Sequence, residues 1–186
     1  DLALPTEDCG DRSLLTPDRD IYWVRRLYEK AIGGFYSVVL TPKGWSVNAG
    51  KTLGWQIEQK TSGIDALLPS MRTDVILEHS VMRKRIVIDT KFTSILKPGW
   101  YREKTFNSNY VYQLYAYLRS QESGTDQLAR NASGMLLHPA VGVGVDESVV
   151  IQGHAIRFAT VDLGATATTA VIRNQLLELV EKPAGI

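Results

Sequence analysis

The chain has 186 residues, 44% hydrophobic and 22% charged, and carries a net charge of +1. That is the profile of an ordinary globular protein with enough chain for one proper core. Cys9 is the only cysteine, which excludes a disulfide framework and a Cys-rich zinc site, and the balanced charge argues neither for nor against nucleic acid.

His79, His138 and His154 lack close metal-ligand spacing. No stretch is long or apolar enough to span a membrane and no signal peptide is visible, so a cytoplasmic location is expected. One domain is expected over residues 1–186. A start at Asp1 rather than Met suggests a fragment of a longer protein.

In chain order, residues 1–17 read as an extended lead-in, with Pro5, Gly10 and Pro17. A helix is predicted from near Asp18. Ile21, Val24, Leu27, Tyr28, Ala31 and Ile32 form its apolar face. Glu29 stands beside that face. It is either half of a solvated pair with Arg25 or a third acidic group for a metal, and the spacing alone favours the pair. Gly33 and Gly34 are expected to loosen or end the helix, and residues 35–40 either extend it or form a strand. Residues 43–54 read as loop, Trp55–Glu58 as a short strand and 61–69 as loop.

From Met71 to Phe92 the sequence reads as two strands around a polar turn, with Val75-Ile76-Leu77 and Arg85-Ile86-Val87-Ile88 as their apolar runs. A hairpin centred on Val81 and Met82 pairs residues whose numbers sum to 163. Asp74 then lies opposite Asp89, and alternation puts Lys91 on the face of Asp89. Two carboxylates about 4 Å apart at an effective dielectric of about 20 repel by roughly 4 kcal/mol. A divalent cation between them would reverse the sign, and Mg²⁺ suits such a pair of acids acting on phosphate. Lys91 could then position the attacking water or stabilise charge forming on phosphorus. The plain alternative is a strand-start Asp74 and a partly exposed Asp89–Lys91 pair. A charge ending a buried strand is the better site candidate.

Lys97, Arg102 and Lys104, interleaved with Trp100, Tyr101 and Phe106, suit a loop touching a phosphate backbone or form an ordinary surface loop. Residues 107–120 read as a helix capped by Ser108 or Asn109, and Asn109 joins the three cations as a candidate DNA contact. Gln113 and Tyr117 share a face of that helix. Their polar ends could hold a phosphate or a water, or the pair could be core. Residues 122–133 read as a polar connection and Gly134–His138 as a buried strand stopped by Pro139. Residues 141–147 read as loop, 154–163 as a strand and 168–181 as a closing helix. The order fits an α/β fold with a central mixed sheet flanked by helices.

The succession Glu29, Asp74, Asp89-Thr90-Lys91 and Gln113-x-x-x-Tyr117 resembles the PD-(D/E)xK nucleases. RLYEKAI, LLPSMRTDVIL, IVIDTKF, NSNYVYQLYAYL and SGMLLHP resemble, in order, the nuclease domain of the McrC family, the cleaving subunits of McrBC 5-methylcytosine-specific restriction systems. The resemblance runs from about Leu2 to Leu163. It implies a restriction-endonuclease-like core and a Mg²⁺-dependent endodeoxyribonuclease, with Mn²⁺ able to substitute. It places Asp74, Asp89, Glu29 and the Thr90 carbonyl on the metal, and Lys91 as the catalytic lysine. Gln113 and Tyr117 become positioning groups. It implies double-stranded DNA as substrate and a GTP-hydrolysing AAA+ partner, McrB, meeting a region absent here. One departure is Thr73, where the motif has proline. The rival is a non-catalytic module that binds DNA or docks a partner. Convergence of Glu29, Asp74 and Asp89 to metal-bridging distance separates the two.

Overall fold

The computed structural model describes residues 16–99 and 103–182. The chain opens with helix α1 (Thr16–Leu40), then β1 (Ser46–Ala49), β2 (Thr52–Leu53), β3 (Met71–Arg72), β4 (Val75–His79) and β5 (Lys84–Thr90). There follow β6 (Leu96–Pro98), β7 (Lys104–Phe106), α2 (Ser108–Ser120), α3 (Gln127–Arg130), β8 (Ser133–Pro139), β9 (Asp146–Ile151), β10 (His154–Val161) and α4 (Thr169–Glu181). Six strands form the main sheet in the order β1-β4-β5-β8-β10-β9, and β2-β3 and β6-β7 are separate two-stranded ribbons. The sheet is mixed: β8 runs parallel to β5 and β10, and the other pairings are antiparallel.

The hairpin has the expected register. Val75 faces Ile88, Leu77 faces Ile86 and His79 faces Lys84. Residues 80–83 make the turn, with Arg83 at φ 50° and its N–H donating to the Ser80 carbonyl at 3.2 Å.

Alternation along the central strands loads both faces of the sheet. Val75, Leu77, Ile86, Ile88, Met135, Leu137 and Ala159 pack with Tyr28, Ile32, Tyr36 and Leu40 of α1 and with Leu176, Leu179 and Val180 of α4. Ile76, Val87, Leu136, Ile156 and Phe158 pack with Tyr110, Leu114, Tyr117 and Leu118 of α2. The Tyr36 hydroxyl donates to the Leu176 carbonyl at 3.1 Å and ties α1 to α4. A near-continuous apolar run, buried on both sides, is what a central strand between two helical layers requires.

Several expected elements differ. α1 already includes Thr16 and Pro17, and it passes through Gly33 and Gly34 instead of ending there. A Cβ on Gly33 would sit 3.3 Å from the Ala49 Cβ and 3.5 Å from a Val75 methyl, so the bare glycine lets the helix lie close on β1 and β4. Gly134 serves the same end beneath α2, where an added Cβ would meet Leu114 at 2.9 Å. The expected loop at 43–54 contains β1 and β2, whereas Trp55–Glu58 pairs with nothing and is not a strand. The cap of α2 is Asn107, whose side chain accepts the Asn109 N–H at 3.1 Å, and neither Ser108 nor Asn109 fills that role. The connection after α2 holds the short α3, and the expected loop at 141–147 gives way at Asp146 to the edge strand β9. The aromatic and basic segment after β5 is partly built as the β6-β7 ribbon. Among the described residues no helix is long and apolar enough to cross a membrane.

Candidate functional site

The open end of the β4–β5 hairpin gathers most of the candidates. Asp89, 1% exposed, and Thr90 end β5 inside the sheet. The backbone N–H of Lys91 still donates to the Leu137 carbonyl at 3.0 Å, so β8 holds the first residue past the strand in line. Asp74 lies one residue before β4. The carbonyl of Asp74 accepts the Gly50 N–H at 2.8 Å, and the neighbouring Thr73 N–H donates to the Lys51 carbonyl at 3.0 Å. Backbone bonds on both strands thus position the acids. Thr73 is itself fully buried and its hydroxyl donates to the Lys51 carbonyl at 3.2 Å.

The Asp74 carboxylate is held by Thr90, the residue after Asp89. Its Oδ2 accepts both the Thr90 N–H at 2.6 Å and the Thr90 hydroxyl at 2.7 Å. Neither bond uses Oδ1. The Lys91 Nζ lies 3.2 Å from Asp89 Oδ2 and donates to Gln113 Oε1 at 3.1 Å. It also stands 4.9 Å from the centre of the Tyr110 ring. Gln113 Nε2 donates to the Tyr117 oxygen at 2.7 Å. An ammonium only donates, so it fixes the Gln113 amide with its oxygen toward Lys91 and its nitrogen toward Tyr117. Burial, followed by the Asp89 charge, raises the Tyr117 pKa. The phenol therefore stays protonated beside the carboxylates and keeps its own O–H to donate.

Glu29 reaches the site from α1. It lines a cavity of about 560 Å³ together with Arg72, Asp74, Thr90 and Lys91. Burial, followed by the negative charge of Asp74, raises its carboxyl pKa, while Arg72 acts in the opposite direction. Glu29 thus shares the cavity with Asp74 and feels its charge, a neighbour that the helix spacing alone did not point to. Among the described residues, however, no three His, Cys, Asp or Glu side chains are close enough together to hold a metal ion. Glu29 feels the charge of Asp74, and with Asp89 the two form no assembled cage.

The remaining candidates lie apart from the cavity. Lys97 is on β6 and bonds the Asn107 cap at 3.4 Å, Lys104 is exposed on β7, and exposed Asn109 opens α2. Arg102 lies outside the described residues. Sequence reasoning missed Arg72 and Tyr110. Arg72 precedes Asp74 by two and Tyr110 precedes Gln113 by three, so strand and helix periodicity carried a signal for each.

The family described as McrBC 5-methylcytosine restriction system component matches residues 22–139. The chain belongs to that family. The matched segment of this McrBC-family chain contains every acidic, lysine, glutamine and tyrosine candidate of the site. The chain is also 26% identical over 181 residues to the type IV methyl-directed restriction enzyme EcoKMcrBC of Escherichia coli (strain K12). That alignment covers 97% of this chain and 49% of the relative, so the chain spans about half the length of the curated relative it matches. The McrC-like resemblance of the sequence agrees with both findings, and the mixed sheet flanked by helices is compatible with a restriction-endonuclease-like fold.

Proposed function

We infer that this chain is the DNA-cleaving part of an McrBC-like, modification-dependent restriction system and hydrolyses phosphodiester bonds with Mg²⁺ or Mn²⁺. The observation that carries the reading is the linked set Asp89–Lys91–Gln113–Tyr117 beside Asp74, at the end of a buried hairpin that opens onto a cavity. The donors suit a hard cation: carboxylates of Asp74, Asp89 and Glu29, and the carbonyl of Thr90. When bound, such an ion neutralises charge on the scissile phosphate and acidifies water. Lys91, held by Asp89 and Gln113, presents an ammonium to the phosphate as charge develops there. Gln113 and Tyr117 fix the direction of that ammonium and supply a phenol donor. Recognition of methylated DNA and a GTP-hydrolysing McrB-like partner belong to the same reading. We assign the partner contacts to regions outside this chain.

The lack of a gathered acidic trio favours a second reading, in which the fold binds DNA or docks a partner without cutting. Calorimetric titration of Mg²⁺ or Mn²⁺ into wild type and Asp89→Ala separates the two. The nuclease reading expects binding that disappears in the variant, and DNA cleavage that disappears with it while the fold persists. Cleavage that survives in Asp89→Ala sinks the assignment. Wild-type protein that binds DNA but no ion selects the non-catalytic module.

A further inference from the structure

The cavity that holds Glu29 continues along α1 into a second groove. Tyr22, Arg26 and Lys30 line both. The second groove, about 360 Å³, adds Trp23 and Leu27. These rings are not core: Tyr22 is 59% and Trp23 64% exposed. Positions 22, 26 and 30 follow one another at single-turn spacing, and 23 and 27 form the adjacent row. The Arg26 guanidinium lies over the Tyr22 ring at 5.8 Å. Arg25 and Arg72 add positive charge to the rim of the neighbouring cavity.

We propose that this face of α1 is a stacking subsite for an unpaired base of the nucleic-acid strand whose phosphate lies in the cavity. It rests on the nuclease reading and extends it. Charge picks the class of ligand, because Arg26 and Lys30 on the groove and Arg25 and Arg72 beside it match a polyanion. The rings pick the part of the ligand. Exposed aromatics beside cations form the platform on which single-stranded bases stack, whereas a closed duplex offers only base edges in its grooves. Spacing sets the position. Tyr22 is seven residues before Glu29, about 10 Å along the helix. At about 3.4 Å per nucleotide along a strand, that is some three steps from a phosphate in the cavity at the level of Glu29. A strand opened near the scissile bond would thus be gripped by its bases on α1 and by its phosphate at the hairpin.

The test uses the full chain without divalent ion and two labelled probes, a closed duplex and the same duplex with a short single-stranded gap. Wild type binds the gapped probe more tightly. Trp23→Ala and Tyr22→Ala each weaken the gapped probe by about tenfold, the size of one base–aromatic stack, and leave the closed duplex unchanged. Arg26→Ala weakens both probes alike. Melting temperatures stay at the wild-type value because the rings are exposed. Equal wild-type affinity for the two probes, or variants that bind the gapped probe as wild type does, overturns the subsite alone. Variants that alter self-association but not probe binding overturn it in favour of a contact between copies. Wild type that binds neither probe overturns the subsite, and the nuclease reading then stands or falls on the cleavage test of Asp89→Ala.

Discussion

The two ends of the β4–β5 hairpin carry the same kinds of charge, two carboxylates and one cation, and use them differently. At the turn end Arg85 lies between its acids, 2.8 Å from Glu78 and 2.9 Å from Asp126. One planar fork satisfies both carboxylates and ties the hairpin to the start of α3. At the open end the partners are divided. Asp74 takes its bonds from Thr90, Asp89 is beside Lys91, and Lys91 reaches on to Gln113. The turn end is a closed ion-pair network. The open end leads Asp74 and the Lys91 ammonium onto a cavity large enough for a phosphate group. Counting charges does not separate a brace from a site; the distribution of partners and the room beside them do.

The largest effect expected on that contrast is at Lys91. Lys91→Ala should lower DNA cleavage per folded molecule by about a hundredfold or more, and it should also lower stability, because buried Asp89 loses the ammonium beside it. Equal cleavage by the variant in a single-turnover assay would make the open end a brace as well. Arg85→Ala should touch stability alone. It should cost about 1–3 kcal/mol in urea unfolding, because partly buried Glu78 loses its donor and Asp126 one of its donors, and leave cleavage per folded molecule unchanged. Loss of cleavage with intact stability would erase the distinction between the ends.

The smallest effect sharpens the comparison from outside. Glu122 is bonded to the His154 ring and paired with Arg119, outside the hairpin itself. The hydrogen bond from His154, aided by Arg119, holds its carboxyl pKa below the ordinary glutamate value. A carboxyl depressed in the folded state contributes stability above its unfolded pKa and loses it as pH falls through the folded one. Glu122→Gln should therefore be less stable than wild type near neutrality, and the gap should close in acid. A gap that is constant with pH in thermal melts would show that the charge contributes nothing there.

The hairpin register was legible because its apolar runs leave one pairing that buries both. The same burial marked Asp89 as unusual. What the sequence hid follows from exposure. β9 is an edge strand with mostly exposed residues, so Asp146–Ile151 shows no buried face from which to recognise it. β1 is short and partly polar for the same reason. α1 survives Gly33-Gly34 because tertiary packing outweighs glycine's poor helix propensity. The nearness of Glu29 to Asp74 was hidden because the two are far apart in sequence, whereas Arg25 stands one turn away. Gln113 and Tyr117 were legible as a pair only by spacing; the bond through Lys91 is a product of the fold.

Gly33 has a further consequence. It sits four residues beyond Glu29 on the same rigid helix, so its contact with Ala49 and Val75 gauges the height at which Glu29 rides above the hairpin. An alanine there would act as a shim, forcing its neighbours to give by a few tenths of an ångström. α1 could answer by tilting, and a tilt would carry both the carboxylate facing Asp74 and the Tyr22–Trp23 rings with it. The alignment between sheet and helix is set by a missing methyl group, in a residue that bears no charge and touches no substrate.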